Sequence, residues 1–220
     1  MAYRRLPNTD NARLIAMVKL DECLLKNEGE LIIYHKEVIK FKKTFTKLIA
    51  ERKQLVMKRA TLNKEKKELL ISLKLYVSHF FQVLNFAIDR GDISKMCRTY
   101  FGLDVNTGIV PILSKEQDII TWAKHIVDGE KKRIKNGIVA ISHPNYKRVE
   151  ELLLDARNSF EELEILEKSF QNYHNEIVLE RNKIDVFIKQ IWNKIEHQFI
   201  NESIEIKRKK SAQFGVVYVQ

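Results

Sequence analysis

The chain has 220 residues and a formal net charge of +10, from 39 Lys and Arg against 29 Asp and Glu. Three prolines, seven glycines and 45% apolar residues describe a folded, mostly helical chain, not a disordered or collagen-like one. No uninterrupted apolar run of about 18 residues and no apolar leader is present, so no membrane span or secretory signal is expected and the chain reads as cytoplasmic.

Residues 1–8 form a basic arm that carries Arg4 and Arg5. Thr9 or Asp10 caps a first helix running to about Lys26, with Ala12, Ile15, Ala16 and Val18 to Leu20 as its expected buried positions. Asn27-Glu28-Gly29 stops it, which closes a first segment at about residue 30.

Residues 31–90 contain neither glycine nor proline up to Arg90. Long or apolar side chains recur there with gaps of three and four: Leu31, Tyr34, Val38, Phe41, Phe45, Leu48, then Leu55, Leu62, Leu69, Leu73, Tyr76, Phe80, Val83 and Ala87. An average gap of 3.5 places them on one stripe and makes a seam for a partner helix. The phase never slips, which predicts one continuous helix about 90 Å long. In the middle the alternate seam positions are Arg52, Arg59 and Lys66, and only towards the end does the apolar arc widen. A narrow stripe suits a two-helix contact, and a wide one needs a core.

Residues 91–145 read as a connector. Gly91 fits the left-handed position past a helix end, and Asp92 is the expected cap of a short helix, Ile93 to Tyr100, that stops at Gly102. After a loop at 103–113, Ser114 and Gln117 have the spacing of a capping box. They open a helix with Ile119, Ile120, Trp122, Ala123, Ile126 and Val127 as apolar positions. Gly129 weakens it and Gly137 ends it. Ile138 to Ile141 reads as a short strand, and Ser142-His143-Pro144-Asn145 as a turn.

Residues 146–213 again lack glycine and proline and read as a second long helix. Its seam is Val149, Leu153, Ala156, Phe160, Leu163, Phe170, Ile177, Ile184, Ile188, Ile191 and Ile195. Its polar interruptions, Glu167, His174 and Arg181, lie 115 residues beyond Arg52, Arg59 and Lys66. Residues 36–74 hold thirteen Lys and Arg against four Asp and Glu, whereas 147–206 hold eight against thirteen. Matched pattern and opposite charge predict that the two long helices pair. The fold class is therefore all-α, a single helical unit over 1–220 with two long helices as a coiled-coil-like stalk or bundle, short connector helices and a minor terminal strand. A compact four-helix bundle is the competing layout, with turns at residues 60–63 and 171–175, but both sites keep the heptad phase. Residues 214–220 alternate as a strand whose partner would be Ile138–Ile141, the basic arm or another chain.

Chemistry is sparse. None of His35, His79, His125, His143, His174 and His197 sits in HExxH or follows a Glu three residues earlier. Cys23 and Cys97 are far apart and read as reduced thiols. There is no phosphate-cradling glycine loop and no nucleophile elbow. Asp89, Asp92 and Asp104 near Arg90 and Arg98 read as caps and loop residues. The aromatics Tyr76, Phe80, Phe81, Phe86, Tyr100, Phe101 and Trp122 read as packed core, with a ligand pocket as the alternative.

No enzyme activity, cofactor or metal is expected. The leading expectation is a structural or protein-interaction protein, an extended helical scaffold that contacts a protein partner or itself through Arg4, Arg5, Phe214, Val216, Val217 and Tyr218. One alternative is nucleic-acid association through the basic face of residues 36–74, with Lys36, Lys40, Lys43, Lys47, Lys53 and Lys58 as phosphate contacts. The other is a small-molecule binder or enzyme in the aromatic body. The opening Tyr3-Arg4-Arg5-Leu6-Pro7-Asn8-Thr9-Asp10 and the closing Gly215-Val216-Val217-Tyr218-Val219 resemble those of uncharacterised bacterial, Bacteroidetes-type, helical-bundle proteins. That resemblance implies a helical bundle and a bacterial source, and brings no activity or site residue.

Overall fold

A computed structural model describes residues 3–26 and 30–219. The expected stop at Asn27-Glu28-Gly29, the first two residues of the arm and Gln220 lie outside them. The fold is all-α. Among the described residues α1 spans Asp10–Lys26, α2 His35–Asp89, α3 Glu116–Lys135, α4 Tyr146–Gln198 and α5 Ile204–Gln213. Short 3-10 helices cover Glu30–Tyr34 and Lys95–Phe101, and β1 (Tyr3–Arg4) pairs antiparallel with β2 (Tyr218–Val219). Helices α2 and α4 pack together, and each passes without a turn through the stretch where the four-helix layout needed one. The chain divides into two compact units, Met1–Met57 with Lys168–Gln220, and Lys58–Glu167.

In the first unit, α1 sets Ala16, Met17, Leu20 and Leu24 against Val38 and Phe45 of α2 and Ile184, Ile188 and Trp192 of α4. The expected inner face of α1 was wrong in part, because Ile15 and Val18 are exposed. Positions 13, 16, 17, 20 and 24 make the truer helical series. Arg13 joins it because its guanidinium donates to both carboxylate oxygens of Asp185, at 2.8 and 2.7 Å. Thr9 caps the helix by accepting the Ala12 N–H at 3.1 Å.

The second long helix is shorter than expected. It ends at Gln198, and Ser203 starts α5 by accepting the N–H of Ile206. No glycine or proline marks this break. The chain is held by contacts instead: the Phe199 and Phe214 rings lie 6.4 Å apart, and Cys23 Sγ donates to the Gln213 carbonyl at 2.8 Å. Tyr3 faces Val219 and Arg4 faces Tyr218 in the terminal ladder, extended by the Arg5 N–H to Val217 O bond at 2.9 Å. Of the three partners considered for the last strand, the arm is the one it has.

In the second unit, Leu73, Val77, Phe80, Phe81 and Leu84 of α2 meet Ala123 and Ile126 of α3 and Val149, Leu153 and Ala156 of α4. Phe80, Phe81, Phe101 and Trp122 pack edge to face with centroids 5.3–6.2 Å apart, so most of the aromatic body is core. Gly129 has a reason to be in mid-helix: a Cβ there would lie 2.4 Å from the Phe101 ring. Lys66 over the Phe160 ring and Arg59 with Glu167 show that α2 and α4 run antiparallel here. Arg59 therefore meets Glu167, not His174, its counterpart in the 115-residue match.

Three local expectations need correction. Ser94, not Asp92, caps the 3-10 helix, while Asp92 accepts the Arg90 Nε–H at 2.9 Å. Helix α3 starts one residue late, with the Lys115 N–H donating to Asp118 at 2.9 Å, so Ser114 and Gln117 form no box. Ile138–Ile141 is not a strand. Its Ile141 N–H donates to the buried carboxylate of Glu130 at 2.9 Å, and the Val139 carbonyl accepts from Arg133 at 3.2 Å. Glu130 and Arg133 bond each other and are both fully buried, one turn apart on α3. This ion pair replaces the ladder that a strand would need.

Candidate functional site

The residues proposed for partner contact mostly turn inward. Phe214 and Val216 are 6% and 3% exposed and belong to the core of the first unit. The Tyr218 hydroxyl donates to Glu196 at 2.5 Å, and Arg4 donates to the other oxygen of the same carboxylate at 3.0 Å. Burial, and then this carboxylate, push the Tyr218 phenol up to about 12. Only Arg5 and Val217 remain exposed, on the rim of a cavity of about 360 Å3 with Leu6, Pro7 and Ile15. The terminal ladder is therefore part of the fold.

The lysines of the candidate basic surface all lie on α2. Lys36, Lys40, Lys43, Lys47, Lys53 and Lys58 are all exposed. The first four recur at 36, 40, 43 and 47 on one face of α2, and Lys47 lies 3.8 Å from Glu51. The candidate polar cluster in the second unit serves the loop after the 3-10 helix. Arg98 is buried and donates to the carbonyls of Asp104 and Ile109, at 2.6 and 3.0 Å, and to Asn85. Burial lowers its pKa. No group of three or more His, Cys, Asp and Glu positioned to hold a metal occurs among the described residues.

Two features escaped the sequence reading. The first is an outer apolar face on α2. Within the second unit Ile71, Leu75 and Phe86 are 59%, 66% and 60% exposed, and at 100° per residue they fall on one stripe with Ser78 and Gln82 between them. The core-facing residues of the same turns lie on the opposite side, so the helix is apolar on two faces. For this reason Glu30–Asp89 contains an 18-residue window long and apolar enough to cross a membrane, with one third of it buried.

The second is an open cavity of about 640 Å3 in the second unit. One face of α3 lines it with Gln117, Thr121, Lys124, His125, Asp128 and Lys132. Residues 99–102 of the neighbouring turn and Arg157 of α4 complete it.

No family model, curated protein or solved structure matches this chain.

Proposed function

We propose that the protein is a non-catalytic structural and interaction protein that assembles with a second copy of itself through the outer face of α2. The observation that carries the reading is the stripe Ile71, Leu75 and Phe86. A helix that is apolar on two sides needs cover on both, and this chain covers one. The stripe is flanked by Lys67 at one end and Asp89 at the other, both exposed. A second helix laid antiparallel sets Ile71 opposite Phe86 and Lys67 opposite Asp89, the self-complementary contact of a two-fold dimer. Each copy takes three such half-exposed side chains out of water, six in the dimer, which is worth about 8 kcal/mol before the cost of association is subtracted.

Sedimentation equilibrium tests this. The wild type is expected to show a dimer mass that grows as the concentration is raised from micromolar to millimolar. Leu75→Glu, at a site where it disturbs no packing, is expected to be monomeric with an unchanged helix signal. A wild-type monomer throughout, or equal association of the variant, removes the proposal. Co-flotation of the monomer with lipid vesicles would assign the stripe to a membrane surface instead. The exposed row Lys36, Lys40, Lys43 and Lys47 supports a second reading, binding to a nucleic-acid backbone. It requires affinity for duplex or single-stranded DNA that falls steeply with salt.

A further inference from the structure

The cavity of the second unit has a size within the range of small-ligand sites, about 300–1,000 Å3. Its chemistry is lopsided. Lys124 and Lys132 stand two turns apart on α3, and Arg157 comes from α4. None of the three forms an ion pair among the described residues, although next to Lys132 in sequence Lys131 is bonded to Glu150, and Arg148 is bonded to Glu151. Asp128 is the one acid in the lining, so the cavity carries three cations against one anion. A concave, low-dielectric wall with an excess of one sign concentrates the opposite ion.

The neutral groups point the same way. The Thr121 hydroxyl already accepts from Gln117 Nε2 at 3.3 Å and keeps its proton to donate. His125 packs edge-on against Trp122 at 4.9 Å, and its Nδ1 is shielded from solvent without a hydrogen-bond partner among the described residues. Gly102, at φ 72°, closes the wall beside that nitrogen, and a Cβ there would sit 3.5 Å from it.

We infer that this cavity binds a small phosphate monoester. A phosphoryl group carries about −1.5 to −2 near neutral pH, which matches the net charge of the lining. The planar fork of Arg157 suits two phosphoryl oxygens, and Lys124 and Lys132 act as point charges. Thr121 supplies a hydrogen bond to the ester or to its polar body, with the His125 ring beside it in the lining. Tyr100, Phe101 and Ile120 are the apolar and aromatic residues of a lining that is otherwise polar, so the body of the ligand is mainly polar.

Calorimetry on the full chain tests the inference. The probes are glucose 6-phosphate, adenosine 5′-monophosphate, inorganic phosphate, and the uncharged parents glucose and adenosine. At least one ester is expected to bind about tenfold or more tighter than its own parent and than inorganic phosphate, and the two esters separate sugar phosphates from nucleotides. Arg157→Gln and Lys132→Gln are each expected to weaken the ester about tenfold, the loss for one charge-assisted contact. Lys135→Gln, on the same helix but outside the lining, is expected to leave it unchanged. All three sites are exposed, and thermal melts of the variants confirm an intact fold. The inference is overturned if esters and parents bind alike or not at all, if inorganic phosphate binds as well as either ester, if Arg157→Gln and Lys132→Gln bind like wild type, or if Lys135→Gln weakens binding as much as they do.

Discussion

Truncating Phe214 to alanine separates a terminal segment that builds the fold from one that docks elsewhere. The side chain is 6% exposed, packs on Phe199 and shares a core with Trp192 and Leu20. A Phe→Ala change in such a place costs about 3–5 kcal/mol, the loss of transfer energy plus the cavity left behind. Phe214 sits at the edge of its core, where neighbours relax more freely, so about 3 kcal/mol is expected. That is a large share of a typical total of about 5–15 kcal/mol, and it lowers the melting temperature by roughly 10 °C. Val217, three residues on and 46% exposed, is the internal control. Its alanine variant is expected to stay within about 0.5 kcal/mol of wild type. Urea unfolding followed by helix ellipticity reads both variants. Equal midpoints for Phe214→Ala and wild type, or equal losses in the two variants, would refute the packing argument and return the segment to a docking role.

Two further predictions follow from groups already described. Glu130→Gln leaves Arg133 buried without its counter-charge and is expected to cost about 3–5 kcal/mol in urea unfolding, whereas Glu130→Leu with Arg133→Met costs less than the single change. A Tyr218 phenol held near 12 in the fold, against 10.0 when unfolded, binds its proton more tightly in the native state. Its contribution is therefore complete below pH 10 and is lost as the pH rises towards 12, and Tyr218→Phe is expected to flatten that alkaline decline and remove one late-titrating phenol from the ultraviolet absorbance.

The long helices were legible because they rest on a repeated, local signal. Sixty residues without glycine or proline, with a seam that keeps phase through Arg52, Arg59 and Lys66, leave little else to form. What escaped depends on contacts between distant residues. The end of α4 at Gln198 has no breaker. It is held by the Ser203 cap and the Phe199–Phe214 contact, and only the serine could have been suspected from the sequence. Ile138–Ile141 has the composition of a strand, but a buried carboxylate eleven residues earlier takes its backbone. Phe214, Val216 and Tyr218 look like an exposed edge until the first two join the apolar core and Glu196, itself bonded by Arg4, meets the third. The cavity was hidden for a similar reason, since its lining comes from three separate segments. One trace was readable: Lys124, Asp128 and Lys132 recur every four residues on the side of α3 away from Ala123 and Ile126. Of the aromatic body, Tyr100 and Phe101 lie at the cavity wall.

The division into two units also predicts an order of assembly, in which amides of the inner unit become protected from hydrogen exchange before those of the outer one. Lys58–Glu167 is one uninterrupted stretch, while the other unit draws on both of its flanks. The pairing of Arg13 with Asp185 bridges 172 residues, and closing so long a flexible loop slows the search for native contacts. Arg59 and Glu167, at the two ends of the inner stretch, lie 3.1 Å apart once it has folded. The inner unit thus acts as a clasp. When it closes, its own two ends are held together, and the loop that remains to be closed is effectively shortened. A ribosome delivers the inner stretch whole before the last segment emerges, so synthesis and topology favour the same sequence of events.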